Sequence, residues 1–245
     1  MIRSACRFAF AAATAALLAG CNVVLSEQPW LTSHADDPRL APGLWAVLRT
    51  PQCPLDAAAT VDAWPECARP VFVRGRELLA PPEAKHDGPP VAAEVLRDLA
   101  RWNASTPVLG DGEPMLLQLQ ADVSTSDGEG ATAATAVRHK GPYLYLALHP
   151  LTRAAGGAVS SVRLWPVFCG PPPPERPATA TPSIDTLASA GMTSRPFPGL
   201  SIAKLGCAAS NLTALRQAAA LSEGVAAANG MPPLEAHWLR AGLAP

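Results

Sequence analysis

The stretch that decides the fold class is MLLQLQADV at residues 115–123. Gln118 and Gln120 fall on one side of an extended chain and Leu117 and Leu119 on the other, which is the period-two alternation of a half-buried strand. A second stretch, YLYLAL at residues 143–148, alternates in the same way. Each of these two stretches is therefore predicted to form a strand.

Working outward, the same patterns predict further short strands and two helices. The pattern predicts that residues 134–140 pair with residues 143–149 across a turn at Gly141-Pro142. Helices are expected over residues 91–102 and from Ser210 or Asn211, either of which can cap the helix, to about Ala228. The other expected strands are residues 42–48, 70–74, 159–169, 200–207 and 237–240. We therefore predict a mainly β protein of the α+β class, with an antiparallel sheet or partly closed barrel and a C-terminal helix packed on it.

The N-terminus has the pattern of an export signal. Arg3 and Arg7 are followed by the uncharged apolar run 8–19. This run is too short for a bilayer span, which needs about 20 residues, and it matches the apolar region of a signal peptide. It ends in Leu18-Ala-Gly-Cys21, which resembles the lipobox of bacterial lipoproteins. The resemblance implies that residues 1–20 are removed and that Cys21 carries acyl chains on its thiol and its new amine.

The same resemblance predicts where the protein resides. Two or more acyl chains hold a protein firmly to a membrane. In lipoproteins an Asp after the cysteine often retains the protein at the inner membrane; here the residue is Asn22, which implies the outer membrane, facing the periplasm. Residues 21–41 contain Pro29 and Pro38 and are expected to form a lipidated tether. A single periplasmic domain, residues 42–245, should follow, with an irregular Pro-rich loop at residues 171–198.

Composition excludes some partners. Without Arg3 and Arg7 the mature chain has 17 basic and 20 acidic residues, a net charge of −3. It lacks the basic surface that nucleic-acid binding requires, so no nucleic acid is expected as a partner. Beyond Cys21 no stretch is long and apolar enough to span a bilayer.

Four cysteines are left in the mature chain besides Cys21, and an even number in an oxidising compartment predicts two disulfides. Of the three possible connectivities we favour the one that closes the shortest loops, Cys53–Cys67 and Cys169–Cys207. The spacing lacks a C-x-x-C pair and a histidine at zinc-finger distance, so no metal site is expected there.

Catalytic motifs are scarce. The sequence has no G-x-S-x-G, H-E-x-x-H or P-loop pattern. It has one S-x-x-K, at Ser201 and Lys204, but in a predicted strand and without the accompanying S-D-N or K-T-G. Cys53 or Cys207 could act as a nucleophile only if unpaired. No catalytic residue and no cofactor are therefore predicted.

Two other groups of side chains consist of residue types that can bind metals. His139 and His149 flank the predicted hairpin, where they could approach each other, but they lack a third ligand nearby. Asp122, Asp127 and Glu129 surround a Ser/Gly turn, where a calcium loop would need denser oxygen ligands. We interpret both groups as solvated surface residues.

One pattern suggests ligand binding. Gly43-Leu-Trp45 opens the predicted domain, and Trp238 and Arg240 lie near its end. This arrangement resembles lipocalins, in which a G-x-W strand closes the barrel floor and a late arginine packs over the tryptophan. The resemblance implies structural roles for Gly43, Trp45 and Arg240, and an apolar ligand in the barrel mouth.

The runs WPECA at residues 64–68 and WPVFCG at residues 165–170 resemble those of uncharacterised proteobacterial envelope lipoproteins, which have no assigned activity. We therefore predict a non-catalytic interaction or assembly role with a protein partner in the envelope. The alternative is a lipocalin-like carrier of a small apolar ligand. A third possibility is an envelope hydrolase with an unfamiliar site.

Overall fold

The computed structural model describes residues 22–82, 91–125, 137–171, 193, 195–203, 206–226 and 233–243. Its helices are α1 (Ala93–Arg97) and α2 (Leu212–Ala226), with short 3-10 turns at Val61–Ala63 and Leu99–Arg101. Its strands are β1 (Leu25–Ser26), β2 (Gly43–Leu48), β3 (Ala68–Arg74), β4 (Glu77–Ala80), β5 (Asn103–Ser105), β6 (Val108–Gly110), β7 (Met115–Thr125), β8 (Val137–Arg153), β9 (Val159–Pro166), β10 (Leu200–Ala203), β11 (Gly206–Ala209) and β12 (Leu234–Arg240).

Most of these strands belong to one antiparallel sheet in the order β5-β4-β3-β2-β12-β9-β8-β7-β6, with β1 beside β8. β10 and β11 form a separate hairpin. The sheet is strongly curled into a half-barrel, and α2 packs on it. The predicted fold class, mainly antiparallel β with a helix from the C-terminal region, is confirmed. Among the described residues no helix is long and apolar enough to cross a bilayer.

The predicted hairpin at Gly141-Pro142 is wrong. Residues 137–140 of its first expected arm and the whole of its second arm lie in the single long strand β8, which pairs with β7, whereas residues 134–136 lie outside the described residues. Gln120 faces Tyr143 while the residue two positions on, Asp122, faces Lys140. Two residues of β8, Gly141 and Pro142, therefore oppose one residue of β7, which is a β-bulge. A bulge accommodates a proline, which has no N–H to donate to the ladder.

One face of the sheet is enclosed by the curl. Leu78 of β4 and Leu109 of β6 come from near opposite edges of the sheet, yet they belong to one apolar cluster. This is possible because the sheet bends around that cluster, so the clustered face is the concave one. Its buried members include Trp45, Val73, Met115, Leu117, Leu119, Leu148 and Val162. β7 alternates between the two faces, but it is not half-buried as predicted, because Leu116 and Gln118 are buried on the outer face.

Helix α2 covers part of the opposite, outer face. The Asn211 side chain accepts a hydrogen bond from the Ala214 amide at 2.8 Å and caps the helix start. Its buried face is largely alanine, so the helix can lie close to the strands. The Trp165 indole N–H donates to the Ala219 carbonyl at 3.0 Å, and the Ser222 hydroxyl accepts from the Phe168 amide at 2.8 Å.

Residues 22–41 do not form the expected tether. Asn22 and Val24 are buried, and β1 pairs with β8. The Gln118 side chain accepts hydrogen bonds from the amides of Trp30 and Leu31. The stretch is held because its apolar residues complete the core that lies under α2, and a polar tether would offer no such residues.

Two other sequence-based boundaries also differ. Residues 91–102 form only the five-residue α1 and a 3-10 turn, and of the expected apolar face only Trp102 is buried. Asp98 ends α1 because its carboxylate accepts from the Ala100 amide at 3.0 Å and starts the turn. Residues 200–207, expected as one strand, contain β10 and the beginning of β11.

Candidate functional site

The outer face of the sheet has a cleft beside the start of the loop of residues 49–67, and Glu223 of α2 lies close to Arg163 in its lining. Its floor is three cross-strand neighbours, Leu48 of β2, Glu235 of β12 and Arg163 of β9, which face the same side because Glu235 pairs with both of the others. The cleft has a volume of about 300 Å³ and is lined by Leu48, Arg49, Thr50, Pro51, Arg163, Pro233 and Glu235.

Charged side chains meet at this cleft. The Arg163 guanidinium lies 3.7 Å from a carboxylate oxygen of Glu223 on α2 and 3.9 Å from one of Glu235. These separations exceed hydrogen-bond length, and all three side chains are partly exposed. Exposed ion pairs of this kind contribute only about 0–1 kcal/mol to stability. The guanidinium therefore keeps donor capacity for another acceptor, since it has five N–H groups.

Beside the cleft, a serine, a histidine and a glutamate form a continuous polar chain. Ser161 and His237 are cross-strand partners, and the Ser161 hydroxyl lies 2.8 Å from His237 Nδ1. His237 Nε2 lies 3.3 Å from a carboxylate oxygen of Glu235. Glu235 and His237 are two residues apart on β12, so strand geometry places both on the outer face. This arrangement was not predicted from the sequence.

The order serine, histidine, acid is that of a nucleophilic triad, but the position of the serine differs from that of a nucleophile. Ser161 is only 6% exposed and pairs with His237 on one side and Thr152 on the other. In such a strand the amides point within the plane of the sheet towards neighbouring strands. Acyl transfer needs amide or side-chain donors aimed at the developing oxyanion. The chain is therefore suited to fixing the orientation of the imidazole.

The loop that forms the other wall of the cleft is held at several points. The Cys53–Cys67 disulfide closes it. The Arg240 guanidinium donates to the carbonyls of Ala57 and Ala59. Asp62 forms an ion pair with Arg97 near α1, and hydrogen bonds from Thr60 and then Arg97 hold the pKa of the Asp62 carboxyl below its ordinary value.

The residues singled out by the lipocalin resemblance all have packing roles. Trp45 is buried in the concave core, and its indole N–H donates to the Ala41 carbonyl at 2.7 Å. Gly43 has φ +125°, and a side chain there would collide with the Arg240 carbonyl. Arg240 fixes the disulfide loop as described above. The concave face is occupied by the apolar core cluster.

Among the described residues, the other candidates are not brought together. His139 and His149 lie on one strand, ten residues apart, so they are separated by about 34 Å along β8. Ser201 is exposed in β10, whereas Lys204, Asp127 and Glu129 lie outside the described residues. Asp122 lies in β7. Within the described part of the chain, no group of three or more His, Cys, Asp or Glu residues could hold a metal.

All four cysteines that were expected to pair do so, as Cys53–Cys67 and Cys169–Cys207. The predicted connectivity is confirmed. Such bonds indicate an oxidising location outside the cytoplasm. Cys21 lies outside the described residues, as does most of the predicted loop 171–198.

Comparison of the chain with protein families, curated proteins and solved structures finds no match.

Proposed function

We propose that this protein is an envelope lipoprotein with a non-catalytic interaction role. In this account lipid on Cys21 holds it at the outer membrane, facing the periplasm, and the cleft on the outer face of the sheet binds a protein partner. The lipobox-like sequence at residues 18–21 and the two disulfides support this location.

The observation that carries the proposal is the strip of sheet between α2 and the disulfide loop. There Arg163, Glu223 and Glu235 are partly exposed and only loosely paired with one another. Arginine is enriched in protein interfaces, and a patch with both signs of charge selects a partner by electrostatic complementarity. The expected partner is a protein segment with a carboxylate for Arg163 and a cation for the two glutamates.

The two other functions that the sequence left open receive less support. A carrier of a small apolar ligand needs a cavity, whereas the apolar side chains of the concave face pack against one another. A hydrolase would need oxyanion donors beside Ser161, whose neighbouring amides lie within the sheet ladder.

The proposal is tested by photo-crosslinking in cells. A photoreactive amino acid at Thr50, on the cleft wall, is expected to yield a discrete adduct with one envelope protein. The same amino acid at Ala155, exposed at the turn between β8 and β9, is the matched control and should yield none. Arg163→Glu should abolish the adduct at Thr50, because it places a third carboxylate beside Glu223 and Glu235.

Adducts of equal yield at Thr50 and Ala155 would contradict the cleft as the binding site. So would an adduct at Thr50 that persists unchanged in the Arg163→Glu variant. Circular dichroism of each variant checks that the fold is intact.

A further inference from the structure

Asn22, the residue that follows the predicted lipid site, is buried and hydrogen-bonded to the fold. Asn22 is 1% exposed, and its side chain donates to the Gly170 carbonyl at 3.1 Å. The Asn22 carbonyl accepts from the Cys169 amide at 2.7 Å, and its side-chain oxygen accepts from the Thr193 amide at 3.3 Å. Consecutive Cα atoms are only 3.8 Å apart, so lipid on Cys21 would leave the protein directly at this surface.

The surface around Asn22 is built from the Cys169–Cys207 disulfide and the β10–β11 hairpin. The Cys207 amide donates to the Val23 carbonyl at 3.2 Å. Gly206, with φ +123°, lets this approach occur, because a side chain there would collide with the same carbonyl. The hairpin therefore lies against the first residues after the predicted anchor.

Two exposed side chains lie near the Cys169–Cys207 disulfide, one apolar and one cationic. Ile202 is the cross-strand partner of Cys207, so their Cα atoms are about 5 Å apart. Its 53% exposure makes Ile202 the most exposed large apolar residue in the described part of the chain. Arg195 is also exposed, and its amide donates to the Thr193 hydroxyl. The Thr193 amide in turn donates to the Asn22 side chain.

We propose that the surface formed by the β10–β11 hairpin and Arg195 rests on the bilayer, with Ile202 in the headgroup region and Arg195 among anionic lipid headgroups. This inference rests on the proposed lipid at Cys21 and adds a fixed orientation to it. An exposed isoleucine gains from leaving water, and an arginine near an anionic surface is attracted to it. With Asn22 buried in the fold, the domain lies directly against the membrane.

A fluorescent label that reports polarity can test this orientation. The lipidated Ile202→Cys protein is labelled with nitrobenzoxadiazole on its new thiol. This is its free thiol, because Cys21 carries lipid in this account and the other four cysteines form disulfides. It is reconstituted into vesicles of phosphatidylethanolamine and phosphatidylglycerol that contain lipids spin-labelled near the headgroup. The emission should shift to shorter wavelength, and spin-labelled lipids should quench it several-fold more than in the control.

The matched control is Leu151→Cys, also at an exposed apolar residue, 39% exposed. The Val24 amide donates to the Val167 carbonyl, and the Val167 amide donates to the Tyr145 carbonyl, so the N-terminal stretch passes close to Tyr145. Leu151 lies six residues after Tyr145 on β8, about 20 Å away along the strand. Arg195→Glu should reduce the quenching at Ile202 in anionic vesicles and leave that at Leu151 unchanged.

Flotation of the same samples separates this inference from the proposed anchor. If the protein floats with the vesicles but both positions are quenched equally, the hairpin does not face the bilayer and the anchor stands. If the protein does not float, the anchor and the orientation are both overturned.

Discussion

The Cys169→Ala/Cys207→Ala double variant is expected to lose about 4 kcal/mol of unfolding free energy. The bond closes a sequence separation of 38 residues, and a cross-link restricts the unfolded chain more when its loop is longer. The Cys53–Cys67 bond closes only 14 residues, so its double alanine variant is the matched control, with an expected loss of about 3 kcal/mol.

The Cys169–Cys207 bond should contribute more to stability than Cys53–Cys67 for a second reason. Both of its cysteines donate amide hydrogen bonds to the N-terminal stretch, Cys169 to Asn22 and Cys207 to Val23. Removing the bond should loosen that stretch, whereas removing Cys53–Cys67 should loosen the cleft wall. Urea denaturation in the Cys21→Ser background, which needs no detergent, measures both losses. A smaller loss for Cys169–Cys207 than for Cys53–Cys67 would contradict this account of the two bonds.

Trp165→Ala is expected to cost about 3–5 kcal/mol, comparable to the loss of the longer disulfide. Trp165 is 1% exposed and lies between β9 and α2, where its indole N–H donates to the Ala219 carbonyl. The substitution leaves a cavity in the layer that attaches the helix to the sheet. Trp165→Phe keeps most of the ring contacts and should cost about 1–3 kcal/mol, since it removes the indole hydrogen bond and part of the ring volume, while the Ala219 carbonyl keeps its partner within the helix.

Trp64→Ala is the matched control for Trp165→Ala. Trp64 is half-buried in the disulfide loop, and its indole donates to Ala59 at 3.4 Å, a longer bond. Its removal should cost less than half as much in the same urea titration. Equal losses for the two tryptophans would show that α2 is not attached through Trp165.

The sequence predicted those parts of the fold that depend on local pattern. The alternation at residues 115–123 and 143–148 correctly indicated strands, although their pairing with each other was not predicted. Asn211, one of the two residues predicted as a cap, starts α2. The connectivity of the two disulfides was predicted correctly because the cysteines pair so as to close the shortest loops. These features depend on residues close together in the chain.

The errors came from effects that act over long sequence separations. Gly141-Pro142 has the composition of a turn, but pairing with β7 turns it into a bulge. The stretch 22–41 has a polar composition, yet its few apolar residues fill space beneath a helix nearly two hundred residues later. In both cases tertiary packing overrides a local preference.

The candidate site could not be predicted because it depends on strand order. Glu235 and His237 show the two-residue spacing of one strand face, which was the available signal. Ser161 and Arg163 join them because β9 lies beside β12 in the sheet. A single sequence does not reveal this adjacency, since β9 and β12 are separated by the whole of the α2 region.

Membrane fractionation of the Cys21→Ser variant tests the central claim most directly. The claim is that lipid on Cys21 holds the domain to the membrane, and the variant removes the acceptor thiol. After washing with high salt, we expect the unaltered protein in the membrane pellet and the variant in the soluble periplasmic fraction. A variant that stays in the pellet as completely as the unaltered protein would contradict the claim.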